Sequence, residues 1–335
     1  MKVCFNTYPQ AFGTPGGGER QMQFYHSALL RGREKWPSLE AVFFDQWQPN
    51  FSSLQLMHYF SCMPSSVDFL SYVKVNQGIP VVVSPNFWPD IDGWKVSGVH
   101  ENIKTILWLA EKVIVNSRIE EEALVRLCNI DSSNISVVHN AVEDCFFEPV
   151  SSSLFREVYG VDGAYVLNIC NIEPRKNQLA FLKALKAFPK MQLITIGAVR
   201  EKWYLDACRE EGGDQFRVIG PLPPGSELIR SAIAGCEFFA MPSLLETPSI
   251  ASLEAAAAGA RILTTELGST TEYFDRHAVY VNPYDVLNMI NGIDAVLAKA
   301  SDTVLVERIR ALYRWDIVVD ELVDTYAGVL GKSLG

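Results

Sequence analysis

The sequence predicts an α/β protein with two doubly wound domains, each a parallel sheet covered by helices on both faces. Apolar segments of strand length alternate with helical segments along the whole chain, an order typical of parallel sheets. The chain has 335 residues, which exceeds the size at which one hydrophobic core usually stops growing. Residues 148–154 are polar and carry no clear period, so they are the best candidate for a linker. We therefore expect one domain over 1–147 and a second over 148–315.

Each half of the chain is predicted to supply its own set of strands. In the first half they fall near residues 1–6, 39–44, 54–59, 80–84, 113–116 and 135–138. In the second half they fall near 165–170, 191–196, 215–219, 236–241, 261–264 and 278–281. From Trp315 to the end, one closing helix is predicted, because apolar residues recur on roughly one side of it.

Composition and charge exclude several classes of protein. A hydrophobic content of 48% with 20% charged residues is ordinary for a globular protein. The formal net charge of −10 argues against nucleic-acid binding, which needs a basic surface to displace counterions. It also weighs against a strong hold on anionic membranes, although weak peripheral association through a local basic patch stays open. No segment has about 18 uncharged apolar residues and the start has no signal-peptide pattern, so we expect neither a spanning nor a secreted protein.

The seven cysteines predict a reducing compartment. They are odd in number, scattered, and never spaced as C-x-x-C, which argues against a disulfide framework and against a zinc site. We expect mostly buried thiols in a cytoplasmic protein, with peripheral binding at the inner face of the membrane left open.

Two carboxylates flank the start of one predicted helix. Glu246 and Glu254 are eight positions apart; Thr247 suits the N-cap and Pro248 the first helical position, while Gly259 can end the helix. This places Glu254 about two turns into the helix, roughly 10 Å along its axis. Free backbone N–H groups and the positive end of the helix dipole between the two acids suit a phosphate. The layout matches a ligand with a sugar, a diphosphate and a ribose in a row.

A cation motif and a glycine motif each follow another predicted strand. Arg175 and Lys176 come after the strand near 165–170, where a lysine ammonium can neutralise a diphosphate. Gly16, Gly17 and Gly18 form a loop that enters a helix and lets the backbone approach a ligand closely. Gln21 stands where a G-x-G-x-x-G motif would have its third glycine, so dinucleotide redox cofactors lose support.

Taken in chain order, these segments resemble the retaining GT-B glycosyltransferases of family 4, the group 1 glycosyltransferases. The similarity covers the glycine loop, Val113–Ser117, 135–143, the Pro-Arg-Lys segment and the segment from Glu246 to Glu272, so it spans nearly the whole chain. It is strongest over 165–272 and weakest over 44–112. The resemblance implies two Rossmann-like domains with a cleft between them, an N-terminal acceptor domain and a C-terminal donor domain. It also implies that a C-terminal helix, 316–335, packs back on the first domain.

The resemblance assigns donor-binding roles to individual residues. Glu254 accepts hydrogen bonds from ribose hydroxyls, and Glu246 accepts them from the transferred sugar. Lys176 and Arg175 hold the diphosphate, and the N–H groups of Ser249 and Ile250 cap it.

Further donor contacts are implied at the ends of other strands and across the cleft. The loop Gly16 to Gly18 faces the donor phosphates. Gly197 leaves room for a ligand at a strand end, the alternative being that it only breaks the strand. Leu222 forms an apolar lid on the nucleobase, and a rigid proline turn is an equally good explanation of its loop.

This chain departs from the family pattern in three segments. Asn86 stands where many relatives have a histidine; it can orient a sugar hydroxyl but cannot shuttle a proton, and we assign it a catalytic position. Asn171 replaces a common arginine, and Ser249-Ile250 replaces Gly-Leu. The Asp90-x-Asp92 pattern is not expected to bind a metal, since in the GT-B arrangement a lysine and a helix dipole neutralise the phosphate charge.

The expected activity is metal-independent sugar transfer with retained anomeric configuration, without a cofactor. The donor is a nucleotide-diphosphate sugar whose base, UDP or GDP, stays open, and the acceptor is a hydroxyl of a glycan or lipid-linked sugar. Two alternatives remain: a non-hydrolysing nucleotide-sugar epimerase, and a catalytically degenerate sugar-nucleotide-binding partner.

Overall fold

A computed structural model describes residues 1–13, 15–88 and 99–331. The chain divides into two compact units: unit 1 comprises Met1–Asn140 with Trp315–Gly335, and unit 2 comprises Ala141–Arg314. Each unit holds a six-stranded sheet, and all the strand pairs are parallel. Two parallel sheets flanked by helices confirm the predicted fold class, and a strand lies at each of the predicted places.

Unit 1 has the strand order β2-β1-β3-β4-β5-β6. Its strands are β1 Lys2–Asn6, β2 Glu40–Phe43, β3 Leu56–Tyr59, β4 Val81–Val83, β5 Lys112–Val115 and β6 Ile135–Val137. The helices that connect them are α1 Gly17–Arg31, α2 Val67–Ser71, α3 Val99–Leu109 and α4 Arg118–Cys128. The three valines of β4 are fully buried, as a parallel strand covered on both faces requires.

Unit 2 has the strand order β12-β11-β10-β7-β8-β9. Its strands are β7 Ala164–Ile169, β8 Met191–Ile196, β9 Phe216–Ile219, β10 Phe238–Met241, β11 Ile262–Thr265 and β12 Val279–Val281. The helices are α5 Ser153–Tyr159, α6 Gln178–Leu185, α7 Lys202–Gly212, α8 Glu227–Gly235, α9 Ile250–Ala257, α10 Thr270–Phe274, α11 Val286–Ala298 and α12 Thr303–Leu312. Because β7 lies between β10 and β8, the loops that follow these three strands are neighbours at one edge of the sheet.

The last helix, α13 Trp315–Leu330, belongs to unit 1 and packs on α1. Trp315 stacks on Phe24 of α1 with ring centroids 5.2 Å apart. Further along α13, the hydroxyl of Tyr326 lies 2.6 Å from Nδ1 of His58 in β3. The chain thus leaves unit 1 after Asn140 and returns to it at Trp315.

Side-chain caps fix several helix starts. Ser117 accepts from the backbone N–H of Glu120 at the start of α4, and Ser226 does the same for Ile229 in α8. Asp285 and Asp302 cap α11 and α12 in the same way. Within the described part of the chain, none of the helices has the length and apolar character needed to cross a bilayer. The seven cysteines carry free thiols.

Candidate active site

The centre of the candidate site is an ion pair between Lys176 and Glu246. Lys176 follows β7 and Glu246 follows β10, so the two residues are 70 positions apart in sequence but lie at neighbouring strand ends. The Lys176 ammonium donates to both carboxylate oxygens of Glu246 at 2.9 Å. The two side chains are only 10% and 5% exposed, so the pair is largely shielded from water.

The environment of Glu246 favours its charged form. Burial alone would raise the pKa of this carboxyl group, but the nearby cations Lys176 and Arg175 and the hydrogen bonds from Lys176 outweigh it. The net effect is a pKa below the ordinary value. Glu246 is therefore an acceptor of hydrogen bonds near neutral pH and cannot act there as a proton donor.

The backbone around Glu246 is fixed by the loop that follows β11. The N–H of Glu246 donates to the carbonyl of Leu267 at 3.1 Å, and its carbonyl accepts from Ser269 at 2.9 Å. Gly268 lies between these contacts with φ +102°, and a Cβ there would come within 2.2 Å of the Glu246 carbonyl oxygen. Only glycine fits this position. No sequence motif marked Gly268 as part of the site.

Lys176 is held by an equally constrained turn. Pro174–Lys176 form one 3₁₀ turn, closed by the bond from the Lys176 N–H to the Glu173 carbonyl at 3.0 Å. Asn177 follows in the left-handed conformation, with φ +60°. Its side-chain amide donates to the carbonyls of Pro242 at 3.1 Å and Pro283 at 2.8 Å. Asn177 thereby ties the lysine turn to the loop that carries Glu246.

Helix α9 begins later than the sequence predicted. Its N-cap is Ser249 and its first residue Ile250, so Thr247 is not the N-cap and Pro248 is not the first helical residue. Ahead of this start, Glu246 pairs with Gly268 of the loop after β11. Glu254 is thus about one turn into the helix, roughly 6 Å beyond Ile250, and not two turns in. The Glu254 residue is largely buried.

The remaining unit 2 residues singled out by sequence occupy different surroundings. Arg175 donates to the Leu245 carbonyl and to Glu173, both at 3.3 Å, so it borders the Glu246 loop. Gly197 lies against β7, where an added Cβ would be 2.0 Å from the Cys170 carbonyl oxygen. Its lack of a side chain is therefore required by the packing of two loops. Leu222 is partly buried and packs against the unit 2 core.

The predicted residues of unit 1 form a group of their own. Gly16 caps α1, and its N–H donates to the Glu19 carboxylate at 2.6 Å. Gly17 begins the helix, and a Cβ on Gly18 would lie 2.9 Å from the amide nitrogen of Asn86. Asn86 itself has φ +48°. The structure thus brings Asn86 and the glycine loop together within unit 1.

The histidine of β3 in unit 1 has a structural role. His58 is fully buried, with one ring nitrogen on Tyr326 and the other 2.8 Å from Ser84 Oγ. Burial lowers its pKa well below the ordinary value, so it is a neutral structural histidine. Asp90 and Asp92 lie outside the described residues. In the described ranges, 1–13, 15–88 and 99–331, no three His, Cys, Asp or Glu side chains are grouped as metal ligands would be.

Comparison with known proteins agrees with this geometry. The family model for glycosyl transferases group 1 matches residues 163–299, which include both members of the Lys176–Glu246 pair. The D-inositol 3-phosphate glycosyltransferase of Mycolicibacterium smegmatis is 25% identical over 65% of this chain and 53% of its own length. That of Xylanimonas cellulosilytica is 28% identical over 65% of this chain and 57% of its own length. The chain thus spans about half the length of the curated relatives it matches.

Solved structures share the fold over almost the whole chain. Anabaena HepE in complex with UDP-glucose has a TM-score of 0.79 at 15% identity, covering 98% of this chain and 100% of that one. Sucrose-phosphate synthase from Thermosynechococcus elongatus has a TM-score of 0.77 at 15% identity, covering 99% of both chains. The paired sheets and these neighbours show that the chain has the GT-B fold, and its residues 163–299 match the family model of the group 1 glycosyltransferases.

Proposed function

We propose that this protein is a retaining, metal-independent glycosyltransferase that moves a sugar from a UDP- or GDP-sugar to a hydroxyl of a glycan or lipid-linked acceptor. The observation that carries the proposal is the buried ion pair of Lys176 and Glu246 at the carboxyl ends of β7 and β10. Carboxyl ends of parallel strands are the places where open α/β sheets bind ligands. A buried cation and a buried anion side by side suit a ligand with an anionic and a hydroxyl-bearing part.

The donor is proposed to bind by exchange with the ion pair. The Lys176 ammonium turns from the carboxylate to a phosphate oxygen, and Glu246 accepts hydrogen bonds from hydroxyls of the transferred sugar. Arg175 and the N–H groups of Ser249 and Ile250 add donors for the diphosphate, since the start of α9 favours negative charge. Glu254, about one turn further along, accepts from the ribose hydroxyls.

The chemical step breaks the bond between the sugar's anomeric carbon and the leaving phosphate oxygen. Negative charge grows on the diphosphate as this bond lengthens, and Lys176 and Arg175 stabilise it more strongly than in the ground state. The acceptor oxygen forms its bond on the face that the phosphate leaves, and its proton passes to the departing phosphate. Glu246 remains ionised and orients the sugar, so the step needs no protein base.

The similar proteins support a nucleotide-sugar donor and do not narrow the class of acceptor. One structural neighbour holds UDP-glucose and another holds UDP and glucose, which favours testing UDP-sugars first. Curated relatives act on D-inositol 3-phosphate, so a polyol phosphate belongs among the acceptors tested. Free thiols suit a reducing, cytoplasmic compartment, with any membrane contact peripheral.

The test is a donor screen followed by product analysis. The full chain is screened by thermal shift against UDP- and GDP-sugars, because a ligand that binds the native state raises its melting temperature. The best donor is then incubated with hydroxyl acceptors in the presence and absence of EDTA, and the anomeric configuration of the product is read by NMR. Retained configuration and full activity in EDTA are expected. An inverted product, or activity abolished by EDTA and restored by a divalent metal, would contradict the proposal.

A further inference from the structure

A second ion cluster lies next to the Lys176–Glu246 pair and contains a residue without an assigned role. The Glu173 carboxylate is held between two arginines: Arg175 at 3.3 Å through one oxygen and Arg200 at 3.0 Å through the other. Glu173 is largely buried, whereas the arginine side chains are partly exposed. The carboxylate thus holds two guanidinium groups side by side with part of each accessible to a ligand.

Arg200 is placed there by backbone contacts between two loops. It follows β8, and its N–H donates to the Ile172 carbonyl at 3.2 Å. Ile172 in turn donates to the carbonyl of Ala198 at 2.8 Å, so the loop after β8 pairs with the loop after β7. The latter loop carries Arg175 and Lys176. The side chain of Arg200 is therefore positioned on the turn that presents the proposed diphosphate ligands.

Cationic side chains predominate in these ion pairs of the combined cluster, which places several hydrogen-bond donors close together. Its three cations are Lys176, Arg175 and Arg200, and its two carboxylates are Glu246 and Glu173. Glu173 is shared by two guanidinium groups, and the side chains of Arg175 and Arg200 are 42% and 30% exposed. Guanidinium groups bind phosphate oxygens with strong, often bidentate, hydrogen bonds. A phosphate at the exposed side of these groups gains charge-assisted hydrogen bonds, and a diphosphate offers more oxygens for them than a monophosphate.

We infer that Arg200 is a third cation of the donor site and contacts the diphosphate of the nucleotide. Glu173 is its positioning residue, since it fixes Arg200 beside Arg175. This assignment rests on the proposed function and extends it, because it names a donor ligand that comes from β8 and from no motif of the sequence. The site therefore binds a nucleoside diphosphate more tightly than a nucleoside monophosphate.

The experiment measures nucleotide affinity by titration calorimetry on the full chain, with UDP, GDP, UMP and GMP as probes. Arg200→Ala is compared with Lys202→Ala, a matched control two positions along whose exposed ammonium pairs with Asp206. Loss of a charge-assisted hydrogen bond predicts about tenfold weaker binding of the preferred diphosphate in Arg200→Ala. The corresponding monophosphate should lose less than about threefold, and Lys202→Ala should bind like the wild type. Arg200→Lys should recover part of the loss.

The outcomes separate this inference from the proposed function. If the wild type binds UDP or GDP and Arg200→Ala binds it equally well, the role of Arg200 is wrong and the proposed function stands. Equal losses for diphosphate and monophosphate would also overturn it. A wild type that binds neither diphosphate would overturn both. If Arg200→Ala does not fold, Arg200→Gln, which keeps the side-chain length without the charge, decides by the same criteria.

Discussion

Lys176 and Glu246 each satisfy the other's charge at a site where both are proposed to bind the donor. A buried ion pair contributes little net stability to a fold, because burying two charges is costly. Removing one partner is strongly destabilising, because it leaves an uncompensated buried charge. The two side chains thus pair with each other when no donor is bound, and each contacts a different part of the donor when it is bound. This gives each of them a stability effect and an activity effect that can be measured separately.

Glu246→Ala should lose both stability and transfer activity. The unpaired Lys176 ammonium costs about 2–4 kcal/mol of unfolding free energy, because the pair is almost fully shielded from water. Asp206→Asn, which breaks an exposed pair, should cost less than about 1 kcal/mol. Urea unfolding measures both variants. Glu246→Gln, which keeps a hydrogen-bond acceptor, should be more stable than Glu246→Ala but still transfer at least about tenfold more slowly. Wild-type transfer by Glu246→Ala would remove Glu246 from the mechanism.

Gly268→Ala tests the backbone contact that fixes Glu246. The added Cβ meets the carbonyl of Glu246 at 2.2 Å and the residue has φ +102°, so the loop must shift. We expect a loss of at least about 2 kcal/mol and of donor binding. Gly160→Ala is the control, since Gly160 also has positive φ, +57°, but nothing lies within 4 Å of its Cβ position. That variant should lose only about 1 kcal/mol and keep donor affinity. Equal behaviour of the two variants would contradict a special role for Gly268.

Asn177→Gly separates the left-handed turn from the side-chain bridge. Glycine adopts the φ of +60° without strain but loses both hydrogen bonds, to the Pro242 and Pro283 carbonyls. About 1–3 kcal/mol of stability should be lost, together with affinity for the nucleotide sugar, because Lys176 is no longer tied to the Glu246 loop. Asn129→Gly is the matched control, since Asn129 ends α4 in the same conformation at φ +57°. Donor affinity unchanged in Asn177→Gly would show that the bridge does not position Lys176.

Because His58 is buried in its neutral form, we expect the unfolding free energy to fall at acid pH. Burial holds its folded pKa well below 6.5, so the unfolded chain binds a proton that the folded chain excludes. The unfolding free energy should therefore fall as pH drops from about 6.5 towards the folded pKa, by up to about 1.4 kcal/mol per pH unit. Above about 6.5 this contribution does not vary with pH. His58→Asn should flatten the slope between pH 6.5 and 5, as measured by urea unfolding at several pH values. An unchanged slope would mean that other groups set the acid response.

The sequence predicted the fold well because its signals are local. Buried strands such as the valine run of β4 are continuous and apolar, and glycine, proline and capping residues separate them from helices. Lys176 and Glu246 were each recognised from their own strand-end segments. Their direct pairing was not foreseen, because contact between residues 70 positions apart depends on the order of β10, β7 and β8 in the sheet.

The parts of the site that escaped prediction depend on contacts between loops. The start of α9 was placed too early because residue preferences favoured Thr247 and Pro248, whereas the helix begins at Ile250 and Glu246 ahead of it pairs with Gly268. Gly197 suggested room for a ligand, but in the structure the space is needed for the Cys170 carbonyl. Arg200 carried no motif; a glycine at the end of β8 followed closely by an arginine was the only local signal.

The most direct test of the account is the transfer rate of Lys176→Ala with the donor selected by the screen. If Lys176 stabilises the charge that develops on the diphosphate, kcat/KM should fall by about 10²–10³ relative to the wild type. Lys202→Ala, with its exposed ammonium, should retain wild-type kcat/KM. A Lys176→Ala protein that remains folded and transfers sugar within about twofold of the wild-type kcat/KM would contradict the assignment of this ion pair as the donor site.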